Sequence, residues 1–225
     1  MGKQQPLRGV LFDLDGTLLD TAPDLVLACN TAAGEFGLRP QALDVLKPLV
    51  TYGAPAMLRG ILAADPQRVD FDALLERMHR LYEENIAVHT RLFAGVDAVL
   101  DAVESRGLSW GIVTNKHRRF TDPLLRSLDL HMRTGCAISG DTLSECKPHP
   151  LPMWEACRQI DVAPEACVYI GDARRDIEAG QNAGMATLAA LYGYVPADDP
   201  AQQWGADALL KEPLDLLAWL DGELA

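Results

Sequence analysis

The sequence predicts an α/β protein: a doubly wound, Rossmann-like parallel sheet with an all-helical segment inserted near its start. Three observations carry that reading. A short apolar run, Val10-Leu11-Phe12, ends abruptly in Asp13-Leu14-Asp15-Gly16-Thr17. Residues 21–89 show helical apolar spacing throughout and no strand signal. From Phe93-Ala94-Gly95 onward, apolar runs of strand length alternate with helical patterns. Residues 1–20 and 90–225 are therefore assigned to a sheet-containing core domain, and residues 21–89 to a helical cap domain.

Each element has its own signal. Val10–Phe12 has the continuous apolar character of a strand buried on both faces. Thr21 reads as a helix N-cap with Pro23 and Asp24 in the first turn, and the pattern Leu25, Ala28, Cys29, Ala32, Phe36 stops at Gly37. Leu43, Leu46 and Leu49 lead to a break at Tyr52-Gly53-Ala54. Leu74, Leu75, Met78, Leu81 and Tyr82 form a further helical stripe. Val96, Val99, Leu100 and Val103 predict a helix closed by Gly107. Ser109–Val113 reads as a strand ending at Thr114-Asn115, followed by a helix from near Pro123 to Leu128. A short strand at Cys136–Ile138 precedes a helix over Leu151–Ile160. Cys167–Ile170 is a strand ending at Gly171-Asp172, with a helix from about Asp176 to Gly184 behind it. Met185–Ala190 is another strand, and a last helix near Pro213 carries Leu214, Leu217 and Leu220.

Composition narrows the function. Hydrophobic residues make up 48% of 225, enough for a sizeable core. A net charge of −12 argues against nucleic acid as a partner. No apolar run approaches the ~18 residues of a membrane span. Met1-Gly2-Lys3-Gln4-Gln5-Pro6 lacks a signal peptide's apolar stretch, and Pro6 stands where a myristoylation signal needs Ser or Thr. The expected location is the cytoplasm, as a monomer or homodimer. The five cysteines, Cys29, Cys136, Cys146, Cys157 and Cys167, form no C-x-x-C pair and read as reduced, inert thiols. Gly135 to Gly140 is followed by Asp141 rather than lysine, so there is no Walker A loop. No G-x-G-x-x-G follows a strand, which argues against a dinucleotide.

The chemistry is expected where strands end, because ligands of open α/β sheets bind at the carboxyl edge. Asp13 and Asp15, Thr114 and Asn115, and Asp172 all follow predicted strands. Lys147 lies in the loop Cys146-Lys147-Pro148-His149-Pro150 just before a helix. Two carboxylates two positions apart repel unless a proton or cation intervenes, and a hard cation such as Mg²⁺ suits them. A carboxylate can attack phosphorus and split one hard step into two. A second carboxyl can protonate the leaving alcohol and then deprotonate water. Lysine and a hydroxyl can bind phosphate oxygens. An insertion after the first strand hangs over this edge and can act as a lid.

These segments resemble the four motifs of the haloacid dehalogenase superfamily, in the subgroup with a helical cap. Asp13-Leu14-Asp15-Gly16-Thr17 resembles the first motif, Thr114-Asn115 the second, Lys147-Pro148 the third, and Gly171-Asp172 with Asp176 the fourth. The resemblance implies Asp13 as nucleophile and Asp15 as general acid/base. It implies Mg²⁺ held by Asp13, the backbone carbonyl of Asp15, and Asp172. It gives the phosphate to Thr114, Asn115 and Lys147, and has Asp176 orient Lys147 or metal-bound water. His149 departs from the third motif's usual acidic or small residue. Asp15 favours phosphate chemistry over dehalogenation, and Lys47 is the one lysine between Thr21 and His89 that could serve a phosphonate hydrolase. Within the superfamily, Asp13 to Pro23, Gly53-Ala54, Thr114-Asn115-Lys116, Gly193-Tyr194, and Asp199-Pro200 with Trp204-Gly205-Ala206-Asp207 resemble the phosphoglycolate phosphatases, and next the N-acetylmuramic acid 6-phosphate phosphatases of cell-wall recycling. A phosphosugar mutase and a non-catalytic phosphate-binding module are the remaining alternatives. The implied partner is a small phosphorylated metabolite. Tyr52, Gly53 and Ala54 are expected to meet its leaving group, and Arg39, Arg59 and Arg118 are candidates for a substrate carboxylate, although each suits a solvated surface better.

Overall fold

The first strand sits at the centre of the sheet. The computed structural model describes residues 6–222. In chain order these are β1 (Gly9–Phe12), β2 (Leu19–Asp20), α1 (Ala22–Glu35), α2 (Leu43–Leu46), α3 (Ala54–Ala64), α4 (Phe71–Glu84) and β3 (Arg91–Leu92). Then follow α5 (Val96–Ser105), β4 (Ser109–Val113), α6 (Arg118–Ser127), β5 (Ala137–Ile138), α7 (Leu151–Ile160), β6 (Cys167–Gly171), α8 (Arg174–Ala183), β7 (Ala186–Ala190), β8 (Ala208–Leu210) and α9 (Asp215–Leu220). Six parallel strands run in the order β5-β4-β1-β6-β7-β8. The chain builds outward from β1 in both directions, so β1 marks the switch point where such sheets bind ligands. Phe12 pairs with Ile112 on one side and Ile170 on the other. The three strand ends that carry polar residues are therefore neighbours.

Both faces of the sheet are covered, which explains the continuous apolar strands. Val10 and Phe12 join Ile112, Val168 and Ile170 on one face, with Val99 and Leu100 of α5 and Leu124 of α6. Leu11, Val113 and Tyr169 point the other way, into Met153, Ala156 and Ile160 of α7 and Ala179 of α8. The alternation is the period of two that a strand imposes.

The inserted helices have a core of their own, with Met57, Leu58, Ile61, Leu74, Met78 and Tyr82 packed on α1. Two short ties close the insertion at its base. β2 pairs antiparallel with β3. The buried Asp24 carboxylate accepts from the backbone N–H groups of His89 (2.9 Å) and Thr90 (2.8 Å) and from the Thr90 hydroxyl (2.8 Å). The entry and exit of the insertion are thus one hydrogen-bonded unit.

Several elements differ from the sequence expectation. Strands β2, β3 and β8 carried no legible signal; each is two or three residues long, too short to show a period. Helix α6 starts at Arg118, ahead of the Pro123 start. Pro123 is the sixth residue of α6, inside the helix, where its missing N–H leaves the Arg119 carbonyl without an intrahelical donor. Thr21 does flank α1, but its hydroxyl caps nothing; it donates to Asp15 instead. All five cysteines are free; Cys146 is exposed and the others are buried. No described helix is long and apolar enough to cross a membrane.

Leu11→Ala, in the fully buried centre of β1, is expected to lower unfolding free energy by about 2–5 kcal/mol in urea titrations with an unchanged slope. Met132→Ala, at a side chain 78% exposed, should stay within about 0.5 kcal/mol of wild type.

Candidate active site

The carboxyl edge of the sheet gathers Asp13, Lys147, Asp172 and Asp176 in a dry cluster, each at most 3% exposed. The Lys147 ammonium is the hub. Its Nζ lies 2.9 Å from Asp13 Oδ1 and 2.7 Å from Asp176 Oδ1. It donates to the Val113 carbonyl at 2.9 Å and to the Tyr169 hydroxyl at 2.7 Å. Tyr169 in turn donates to the same carbonyl. The loop bearing Lys147 is clamped by Asn115. Its Nδ2 donates to the Lys147 carbonyl at 2.9 Å, and the Lys147 N–H donates to its Oδ1 at 3.0 Å. Asn115's side chain therefore acts on the site through Lys147. Asp176 also holds the start of α8, its Oδ2 accepting from the Ala173 N–H at 3.0 Å.

Asp172 is fixed by the Tyr194 N–H at 2.7 Å and the Thr17 hydroxyl at 3.3 Å. Gly16 lies against it. A Cβ on Gly16 would stand 2.0 Å from Asp172 Oδ2, and φ is +85° there. Only glycine permits that approach. Burial, then the Asp13 and Asp176 charges, push the Asp172 carboxyl well above its usual range. Burial raises Asp176 too, against the pull of Lys147.

These observations fit a cation. One oxygen from each of Asp13, Asp172 and Asp176 lies within 4.8 Å of the others. Asp13 Oδ1 and Asp176 Oδ1 are buried and, among the described residues, receive no well-directed hydrogen bond. Three carboxylates face one ammonium, and every donor is an oxygen, as a hard cation prefers. The Asp15 side chain stands apart from this cluster. Its Oδ1 accepts from the Thr21 hydroxyl at 2.5 Å and lies 2.9 Å from Lys116 Nζ. Lys116 is buried over the Tyr82 ring, its Nζ 4.6 Å from the ring centre. Burial pulls the Lys116 ammonium down, but Asp15's charge prevails and the net direction is up.

Above lies a cavity of about 690 Å³ between the sheet edge and the inserted helices. Asp13, Asp15, Thr114 and Asn115 line its floor; Tyr52, Gly53 and Ala54 line its far side with Val50, Met57 and Met78. The expected cap loop and the two aspartates thus share one cavity. Lys147, Asp172 and Asp176 lie behind the floor rather than on it. His149 accepts from the Leu151 N–H at the start of α7, away from the cavity. Arg39 and Arg118 pair with surface carboxylates, and Arg59 stacks on Phe71; none lines the cavity.

A sequence model of haloacid dehalogenase-like hydrolases matches residues 10–190. The chain belongs to this family. It is 39% identical over 218 residues to an N-acetylmuramic acid 6-phosphate phosphatase of Pseudomonas putida, covering 97% of this chain and 98% of that one. It is 43% identical over 209 residues to a phosphoglycolate phosphatase of Xanthomonas campestris, covering 93% and 94%. A solved structure described as a predicted phosphoglycolate phosphatase from Haemophilus somnus superposes with a TM-score of 0.85 at 27% identity, covering 97% and 99%.

Two cavity residues were given no role from the sequence: Lys116, marked only as part of the run Thr114-Asn115-Lys116, and Arg175, not marked at all. Lys116 directly follows Thr114-Asn115, and Arg175 stands between Asp172 and Asp176. Both lie beside motif residues, so position along the motif was the available signal.

Raised acids carry a sign. Because folding raises the Asp172 carboxyl above its unfolded value, that group contributes stability at low pH that is lost as pH rises through the folded value. Adding Mg²⁺ to chelator-treated protein is therefore expected to raise Tm, by more at about pH 7 than at about pH 5. Asp172→Asn should raise the Tm of the chelated protein and abolish the Mg²⁺ response. A wild-type Tm indifferent to saturating Mg²⁺ contradicts the cation site.

Proposed function

We propose that the protein is a Mg²⁺-dependent phosphomonoester hydrolase that works through an aspartyl phosphate on Asp13, with phosphoglycolate phosphatase-like activity. The observation that carries the reading is the division of labour between Asp13 and Asp15. Asp13 sits on the cavity floor with Lys147 and two further carboxylates at its back. Asp15 lies two residues on, held separately by Thr21 and Lys116. This separation supports a reading in which one carboxylate attacks and the other handles protons.

In the first half-reaction an Asp13 oxygen bonds to phosphorus as the ester oxygen leaves. Asp15 delivers a proton to that leaving alkoxide. In the second, Asp15 takes a proton from water, which attacks phosphorus and frees Asp13. Lys147 balances the charge on Asp13 throughout and is itself held by Asp176, Val113 and Tyr169. Thr114, on the cavity floor, offers its hydroxyl to the phosphate. Asp13, Asp172 and the Asp15 carbonyl would hold Mg²⁺, with Asp176 beside them; when bound it offsets the repulsion between Asp13 and the incoming phosphate. Tyr52, Gly53 and Ala54 would meet the leaving group.

A second reading, N-acetylmuramic acid 6-phosphate as substrate, has its own support. The cavity of about 690 Å³ suits a sugar-sized leaving group, and a two-carbon acid would leave much of its apolar side unfilled.

Phosphate release from 2-phosphoglycolate, N-acetylmuramic acid 6-phosphate, common sugar phosphates and nucleotides should depend on Mg²⁺, with kcat/KM naming the substrate. Asp13→Asn is expected to reduce turnover to background with its Tm retained, and Asp15→Asn to lose roughly 10²- to 10⁴-fold in kcat. Near wild-type turnover by Asp13→Asn would sink the mechanism.

A further inference from the structure

The cavity is lined by a half-buried arginine that the reaction above does not use. Arg175 lies in the first turn of α8, between Asp172 and Asp176, and lines the cavity with Tyr52, Gly53 and Ala54. Its Nη1 donates to the Thr51 carbonyl, immediately before that cap loop. Its Nε is buried and, among the described residues, has no hydrogen-bond partner. A buried polar group left without a partner costs stability, and a charged one costs more.

The other cations around the cavity are accounted for. Lys116 is paired with Asp15, and Arg119 with Glu83. Arg175 makes no ion pair with a carboxylate among the described residues. It feels the Asp13, Asp172 and Asp176 charges from a distance, but Lys147 and a divalent cation together neutralise those three. Arg175's charge then remains unmatched, beside the cap loop and on the cavity wall.

Resting on the phosphatase reading, we propose that Arg175 is a specificity-determining residue that receives a substrate carboxylate. The substrate class is then a phosphomonoester whose leaving group carries an acid. A guanidinium takes a carboxylate through two parallel N–H donors, and here Nη1 is already used, which leaves the edge containing Nε. The bond to Thr51 gives the same side chain a second role. It ties the cap loop to the sheet edge, so the loop that meets the leaving group and the group that reads its charge move together. Arg39, Arg59 and Arg118 lie outside the cavity and cannot do this.

The test compares acid and neutral partners of similar shape: 2-phosphoglycolate with its amide, and N-acetylmuramic acid 6-phosphate with N-acetylglucosamine 6-phosphate. Dissociation constants are measured with Mg²⁺ on an Asp13→Asn background, so that no turnover is required. With Arg175 present, the acid of at least one pair should bind more tightly than its neutral partner. Arg175→Gln should cut that preference roughly 10- to 100-fold, and Arg175→Lys, which keeps the charge and loses the fork, should cut it less. A ratio cancels any loss of folded protein. No acid preference in either pair, or a preference that Arg175→Gln leaves intact, overturns the proposal. If Arg175 merely balanced the aspartate cluster, Mg²⁺ affinity would change and the acid-to-neutral ratio would not. Failure of the wild type to hydrolyse p-nitrophenyl phosphate would count against the phosphatase reading alone.

Discussion

Three carboxylates meet one ammonium group in a place from which water is nearly excluded, and the rest of the site is arranged around that imbalance. Asp13, Asp172 and Asp176 could not sit together there as anions without Lys147 and a further positive charge. The protein invests many contacts in keeping them close. Asn115 clamps the lysine's backbone, Tyr169 and Val113 take its other protons, and Tyr194 and Thr17 hold Asp172. Such preorganisation lets a site meet developing charge without rearranging.

The sheet makes this gathering possible. β1 lies between β4 and β6, so the residues after these three strands emerge side by side. Lys147 and Asp176 come from the flanking loop and helix. The inserted helices then add what the edge lacks: an apolar wall facing a polar floor. Its base is tied by Asp24 and by the β2–β3 pair, while Arg175 ties its inner loop to α8. On the proposed reading the sheet edge carries the chemistry, and selectivity lies with the surface facing it together with Arg175 beside it.

Much of this was legible in the sequence because buried parallel strands and amphipathic helices leave strong periods. Val10–Phe12, Ser109–Val113 and Cys167–Gly171 announced themselves by continuous apolar character, and their polar ends marked Asp13, Thr114 and Asp172. The inserted helices showed in the stripe from Leu74 to Tyr82. What escaped has physical causes. Two- and three-residue strands have no period to read. Thr21 has the right residue type for a cap, but its backbone is already helical (φ −91°, ψ −10°) rather than extended, and its hydroxyl is turned to donate to Asp15. Lys116 and Arg175 are long polar side chains whose burial depends on distant partners, Asp15 and Tyr82 for one and Thr51 for the other. No local pattern reports such contacts.

The central claim is that Asp13 itself becomes phosphorylated. A single-turnover reaction quenched in acid, reduced with borohydride and mapped by mass spectrometry tests it directly. The account predicts a phosphoryl adduct that forms and decays at rates matching turnover, with borohydride converting residue 13 to homoserine. Phosphate released with no adduct at any time, or an adduct mapped to another residue, would contradict it.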